Sequence, residues 1–202
     1  MTLQSACTTP HRRWYPGSPV PTSAPLTLEA ALNEQFSFQV VVRLGGGTRQ
    51  KIQAEINRPT GWYIRLRRVG YVPVRHHNTP IESDTADVEG VGQIPGYVPD
   101  PLFDENEIFL PEGETHAFWI TVRPGADAAP GLHTITLSLR PENGSTVDHT
   151  VDVILHNVAL QPRESFAITH WFYNDALMDY YRTDGFDASF WRVLPAYIRN
   201  VV

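Results

Sequence analysis

Sulfur, positive charge and long apolar runs are all scarce in this 202-residue chain. Cys7 is the sole cysteine, so no internal disulfide can form and the fold does not need an oxidising compartment. Lysine and arginine number 16 against 22 acidic residues, a net charge of −6. That balance argues against a general nucleic-acid or anionic-membrane surface, since both require positive charge. No apolar stretch approaches the length of a membrane span. The N-terminus lacks a basic start followed by an apolar core segment, so no signal peptide is read and a cytoplasmic location is the simplest expectation. Metal-ligand spacing is missing too. His76 and His77 are adjacent and would point to opposite sides of an extended chain, with no third ligand near. Neither a metal nor another cofactor is expected.

Against these absences stands a strong period of two. Hydrophobic residues make up 42% of the chain, enough for a packed core, and 17 prolines and 14 glycines fit many short strands joined by turns. Between Glu114 and Arg140, Phe118, Ile120 and Val122 alternate with Trp119, Thr121 and Arg123. Further on, Ile135, Leu137 and Leu139 alternate with Thr134, Thr136 and Ser138. Such alternation marks strands with one buried face. The connection from Pro124 to Gly131 carries a proline next to a glycine at each end. It can close two neighbouring strands but continue neither. The expectation is a strand–loop–strand unit in the middle of an antiparallel sheet.

Residues 1–25 are rich in Pro, Ser and Thr and show no period. They read as a lead-in segment lying over the surface, anchored by Trp14 and Tyr15. The sheet region spans 26–162. Leu26 and Leu28 open it, followed by alternating Phe36, Phe38, Val40, Val42 and Leu44. Gly45-Gly46-Gly47 would cradle phosphate only ahead of a helix. Residues 48–56 read as a strand instead, so a hairpin loop is expected. Over Trp62–Val74, Arg65 and Arg67 share one face and Ile64 and Leu66 the other. In an acidic chain this is a solvated strand face rather than a basic binding strip. Residues 78–111 keep no steady period, and a loop so long is usually functional or lies at an interface. Asp104-Glu105 within it is a paired acid motif, read as two solvated loop acids because loop neighbours have no fixed separation. Asn143-Gly144 signals a hairpin turn into Val147, His149, Val151, Val153 and Leu155.

The character changes after Gln161. Residues 166–173 read as a short, nearly apolar strand. Asp187 can cap a helix bearing Phe190, Val193, Leu194, Tyr197, Ile198 and Val201 at helical spacing, with Pro195 kinking or restarting it. A strand, a connection and a helix open an α/β unit. The expected fold is mainly β: an antiparallel β-sandwich of immunoglobulin or jelly-roll type over 26–162, then the start of a second, α/β domain over 163–202.

Four segments resemble the N-terminal part of glycoside hydrolase family 123 and its bacterial relatives, grouped as domain of unknown function 4091. They are LTLEAALNEQFSFQVVVR at 26–43, RLRRVGYVPV at 65–74, PGYVPDPLF at 95–103 and FWITVRPGADAAPGLHTITLSL at 118–139. ITHWFYNDALMDYY at 168–181 resembles the start of that family's barrel. The resemblance implies a β-sandwich followed by a (β/α)8 glycosidase barrel, of which 163–202 would be the truncated first βα unit. It implies action on β-linked N-acetylgalactosamine with the substrate's acetamido group as nucleophile, and an Asp-Glu pair on a later barrel strand beyond Val202. His170, Trp171, Tyr173, Asn174 and Asp175 would then lie at the C-terminal end of the first barrel strand and face the sugar.

Three functions follow as expectations. The favoured one is an accessory sandwich bracing a glycosidase barrel. The second is a carbohydrate-binding module without chemistry, with Trp62, Tyr63 and Tyr71 as its aromatic face. The third is a structural or homodimerising sandwich. Hydrolysis needs an acid and a second group about 5 to 9 Å apart, or an acid with a substrate nucleophile. No such constellation is visible, so the purified chain should leave an aryl β-N-acetylgalactosaminide uncleaved; measurable release of the aryl alcohol would overturn this.

Overall fold

The computed structural model describes residues 2–76, 90–163, 169 and 173–201. The alternating runs become strands: β1 (Leu3–Thr8), β2 (Leu26–Leu32), β3 (Phe36–Leu44), β4 (Gln50–Ile56), β5 (Trp62–Val74), β6 (Gly96–Phe103), β7 (Glu107–Leu110), β8 (Thr115–Pro124), β9 (Gly131–Pro141) and β10 (Val147–Ala159). They form two five-stranded sheets. The first has the order β1-β3-β8-β5-β6 and the second β2-β10-β9-β4-β7. Phe38, Val40, Val42, Phe118, Ile120 and Val122 of the first sheet meet Ile52, Ile135, Leu137, Leu139, Val151 and Val153 of the second in one apolar core. Phe38 and Phe118 are fully buried, and truncating either to alanine removes ~3 to 5 kcal/mol of packing on the usual scale.

The sandwich is as expected, but its connections are not. Strands β8 and β9 are each the middle strand of a different sheet, so Pro124–Gly131 crosses the core instead of joining neighbours. Gly45-Gly46-Gly47 likewise passes from β3 in one sheet to β4 in the other and is not a hairpin loop. Alternation tells which face of a strand is buried; it is silent on which strand lies alongside. The β9–β10 hairpin does form, with Leu139 opposite Val147. One pairing breaks the antiparallel rule, since β10 runs parallel to β2.

Two segments read as irregular contain strands. The lead-in supplies β1, which pairs with β3 from Leu3↔Leu44 to Thr8↔Gln39. The aperiodic stretch supplies β6 and β7. Strand β6 pairs with β5 alone, at the sheet edge, where Pro99 and Pro101 cost no second ladder.

Compactness divides the chain at residue 161, into Met1–Gln161 and Pro162–Val202. The second unit holds α1 (Asn174–Tyr181) and α2 (Ala188–Val201). The Asp187 carboxylate accepts the Phe190 N–H at 2.7 Å, the expected cap, and α2 continues through Pro195. Helix α1 falls where only a connection was expected. Leu177, Phe190 and Leu194 pack the two helices together with Met178. Of the strand expected over 166–173, all but Thr169 and Tyr173 lie outside the described residues.

The lead-in is locked rather than draped. Trp14 and Tyr15 are buried, and with Ala6, Val41, Val69 and Ala117 they form an apolar layer separate from the inter-sheet core. Arg43 donates to the carbonyls of Pro16 at 3.2 Å and Ser18 at 3.3 Å, and to Thr115 Oγ1 at 2.9 Å. The Tyr71 hydroxyl reaches the Trp14 carbonyl at 2.9 Å and the Thr115 carbonyl. Burial pushes the Tyr71 phenol up, so it stays a donor at all ordinary pH. Tyr71→Phe should therefore cost about 1 to 3 kcal/mol of unfolding free energy in a urea titration and speed proteolytic nicking of residues 9–18. An unchanged midpoint with unchanged nicking would show that the lead-in is held by packing alone.

Candidate functional site

The sequence candidates gather at the start of α1 only in part. His170 and Trp171 lie outside the described residues. Tyr173 is the extended residue just before the helix (φ −90°, ψ 120°), 85% exposed, with no capping bond from its side chain. Asn174 begins α1, half-buried, and Asp175 is exposed in the first turn, where its Oδ1 accepts the Ala176 N–H at 3.1 Å. A carboxylate there complements the helix dipole, which already accounts for its position.

The aromatic face expected from Trp62, Tyr63 and Tyr71 does not exist. Trp62 is buried and its ring lies 4.9 Å from that of His133. Tyr63 is exposed, and Tyr71 is spent on the lead-in. Successive residues of a strand face opposite ways, so Trp62 and Tyr63 could not share a surface. Asp104 and Glu105 form no acid–base pair. Arg65 Nε donates to Asp104 Oδ1 at 2.8 Å, and Arg68 Nε to Glu105 Oε2 at 2.6 Å. The Arg65 guanidinium holds the Asp104 carboxyl below its ordinary value. Arg67 donates to buried Thr121 Oγ1 at 2.9 Å and its own Nε is buried, so of the β5 arginines Arg65 is on the solvated face while Arg67 is packed against the sheet.

A feature missed in the sequence lies on the outer face of the first sheet. Gln39, Trp119 and Arg67 stand in one row across β3, β8 and β5. Trp119, half-buried, forms part of two clefts. One, of about 350 Å³, reaches toward β5 and β6 and is lined by His11, Arg12, Trp14, Gln39 and Asp100 as well. The other, of about 550 Å³, reaches toward β2 and the start of β3, past His11, Glu29, Gln35 and Ser37. The signal was legible: Trp119 is the large aromatic at an outward position of a central strand, flanked in sequence by core residues.

His116 sits at one end of the sandwich. Its Nε2 lies 3.4 Å from Glu114 Oε2, its ring meets Tyr71 edge-on at 5.1 Å, and its Nδ1 has no partner among the described residues. Burial lowers its pKa, and Glu114 opposes that only in part. His149, beside Ser5 at 2.8 Å, is lowered by burial too. Among the described residues no three His, Cys, Asp or Glu side chains gather as a metal site. No helix there is long and apolar enough to cross a membrane.

A solved glycoside hydrolase shares this fold. A family 123 glycoside hydrolase from Clostridium perfringens, studied for glycolipid glycan hydrolysis, aligns over 99% of this chain with a TM-score of 0.71 at 11% identity. The chain spans 36% of that hydrolase's length. The N-terminal domain of PorA aligns over 77% of the chain and 100% of its own, with a TM-score of 0.36 at 9% identity. No protein-family profile matches the chain, and no curated protein sequence does. What the chain shares with that hydrolase is the fold alone.

The two histidines make stability depend on pH in a definite sense. An unfolded histidine takes up its proton near pH 6.5, whereas partly buried His116 and His149 resist it. Unfolding is therefore favoured progressively as pH falls below about 6.5 toward the lowered native values. The melting temperature should drop between pH 7.5 and 5.5, and His116→Gln with His149→Gln should flatten that drop. Parallel melting curves for variant and parent would refute the assignment.

Proposed function

We propose that this chain is the accessory β-sandwich, with the opening of the catalytic barrel, of a glycoside hydrolase related to β-N-acetylgalactosaminidases and to the domain of unknown function 4091. The observation that carries the reading is the fold match along 99% of the chain to a family 123 glycoside hydrolase. The ordered resemblance of segments at 26–43, 65–74, 95–103 and 118–139 supports it. On this reading 1–25 is a lead-in, 26–162 the sandwich, and 163–202 the first βα unit. His170, Trp171, Tyr173, Asn174 and Asp175 contribute to the sugar-binding end of that unit, an aromatic ring against the sugar's C–H face and amide and carboxylate groups on its hydroxyls. The acid–base chemistry resides in the remainder of the parent protein, and the paired acids of the sandwich take no part in it.

A carbohydrate-binding sandwich without chemistry is the second reading, and the clefts around Trp119 favour it. The first reading is tested on the native gene product. It should exceed this chain in mass and cleave an aryl β-N-acetylgalactosaminide, and Trp171→Ala and Asp175→Ala should each lower kcat/KM by about tenfold or more. Unchanged kinetics in both variants would remove these residues from the site; no cleavage of any aryl glycoside would remove the hydrolase.

A further inference from the structure

We propose that the two clefts flanking Trp119 form one groove on the outer face of the first sheet, and that it binds a short saccharide of at least two rings. His11 and Trp119 line both clefts, so the two flank the same side chains. Trp119 is the platform at the centre, half-buried on the middle strand of a five-stranded sheet. Its neighbours fix it: Gln39 and Arg67 stand directly opposite on either side. Gln39 Nε2 is tied to the Arg12 carbonyl at 2.9 Å, and Arg67 to Thr121. A rigid aromatic surface costs little order on binding.

Hydrogen-bonding groups line the clefts on either side of that platform. In the first cleft the Arg12 guanidinium lies 4.6 Å from the centre of the Trp14 ring, which orients it over a buried indole. Trp14 is 3% exposed, and its indole N–H is itself buried, with no acceptor among the described residues, so it backs the cleft rather than facing a ligand. Asp100 is exposed at the same cleft. In the second cleft Glu29 and Ser37 supply acceptors and a hydroxyl. A sugar ring presents an apolar C–H face and a rim of hydroxyls that both donate and accept. One aromatic platform within a mixed donor and acceptor rim matches it. A proline-rich peptide would want a run of aromatic ridges instead, and Trp119 stands alone in that role. This groove is independent of the barrel reading, since every residue of it lies within the first compact unit, Met1–Gln161.

The test is a glycan array of neutral, N-acetylated and acidic oligosaccharides probed with the whole 202-residue chain, followed by calorimetric titration of the strongest binder. Binding is expected, with Trp119→Ala weakening it about tenfold or more and Trp119→Phe retaining most of it. Asp100→Asn, at an exposed position, should weaken binding with no change in melting temperature, which separates ligand contact from folding should Trp119→Ala fail to fold. A blank array overturns the groove. So does binding that survives both Trp119→Phe and Asp100→Asn at full strength with Trp119→Ala also unaffected. A proline-rich decapeptide that quenches tryptophan fluorescence while every glycan fails would reassign the surface to peptides. In the native gene product, these variants should leave cleavage of an aryl monosaccharide unchanged, whereas Trp171→Ala should not; the two readings thus fail separately.

Discussion

The crossing from β8 to β9 is the constraint on which the rest depends. Both strands are central, both bury one face in the same core, and they belong to opposite sheets. Pro124–Gly131 must therefore span the core at a fixed register. The Gly125 N–H donates to the Gly61 carbonyl at 2.9 Å, and a Cβ on Gly125 would stand 2.8 Å from that oxygen, so only glycine fits. Ala128 is buried against Gly61, and the Pro124 carbonyl accepts the Asn33 N–H at 2.9 Å. The crossing is thereby clamped between the start of β5 and the β2–β3 turn. A slip of one residue in either strand would turn its apolar face to solvent.

The two outer faces are finished differently, and this difference creates the groove. On the second sheet, cross-strand pairs carry their own polar bonds: Thr134 to Asp152 at 2.7 Å and Ser138 to Asp148 at 2.6 Å. Water completes that face. The first sheet instead shows Val41, Ala117 and Val69 outward, and these need a cover. The lead-in provides it, fastened by Arg43, Thr115 and Tyr71. A cover made of loop does not close on a strand as tightly as another sheet would. It leaves space beside the bulkiest outward side chain, Trp119.

Faces were legible in the sequence and partnerships were not. Phe36 to Leu44 and Phe118 to Val122 announced strands because every second residue is apolar and ends in the core. Strand β1 escaped because it has six residues and only Leu3, Ser5 and Cys7 on its inward side. Strand β6 escaped because its prolines exclude a central strand, while an edge strand tolerates them. Helix α1 is short, and its Asn174-Asp175 start reads as turn as readily as helix. The site suffered most. Trp62 and Tyr71 are aromatic, but one faces the core and the other spends its hydroxyl on the lead-in. The useful aromatic, Trp119, sat inside the strongest strand signal, where it counted only as the polar side of the alternation.

Charge arrangement sets the acids of the sandwich apart from the Trp119 groove. The acids along β4, the β6–β7 turn and β7 are neutralised in pairs: Glu55 with Arg140, Asp104 with Arg65, Glu105 with Arg68 and Glu107 with Lys51. A general acid must keep its proton near neutral pH, which requires a carboxyl raised by burial or by a like charge. Arginine beside the carboxylate does the reverse, and Asp104 is held low for that reason. These exposed pairs add little stability, but they remove the sandwich's most suggestive acid motif from catalysis. Trp119 needs no ionisation to act. Held on a central strand by its cross-strand neighbours, it offers a fixed apolar plane at any pH. A sheet can supply such a plane directly from its alternation, and the acids along β4, the β6–β7 turn and β7 are held in pairs with basic side chains instead.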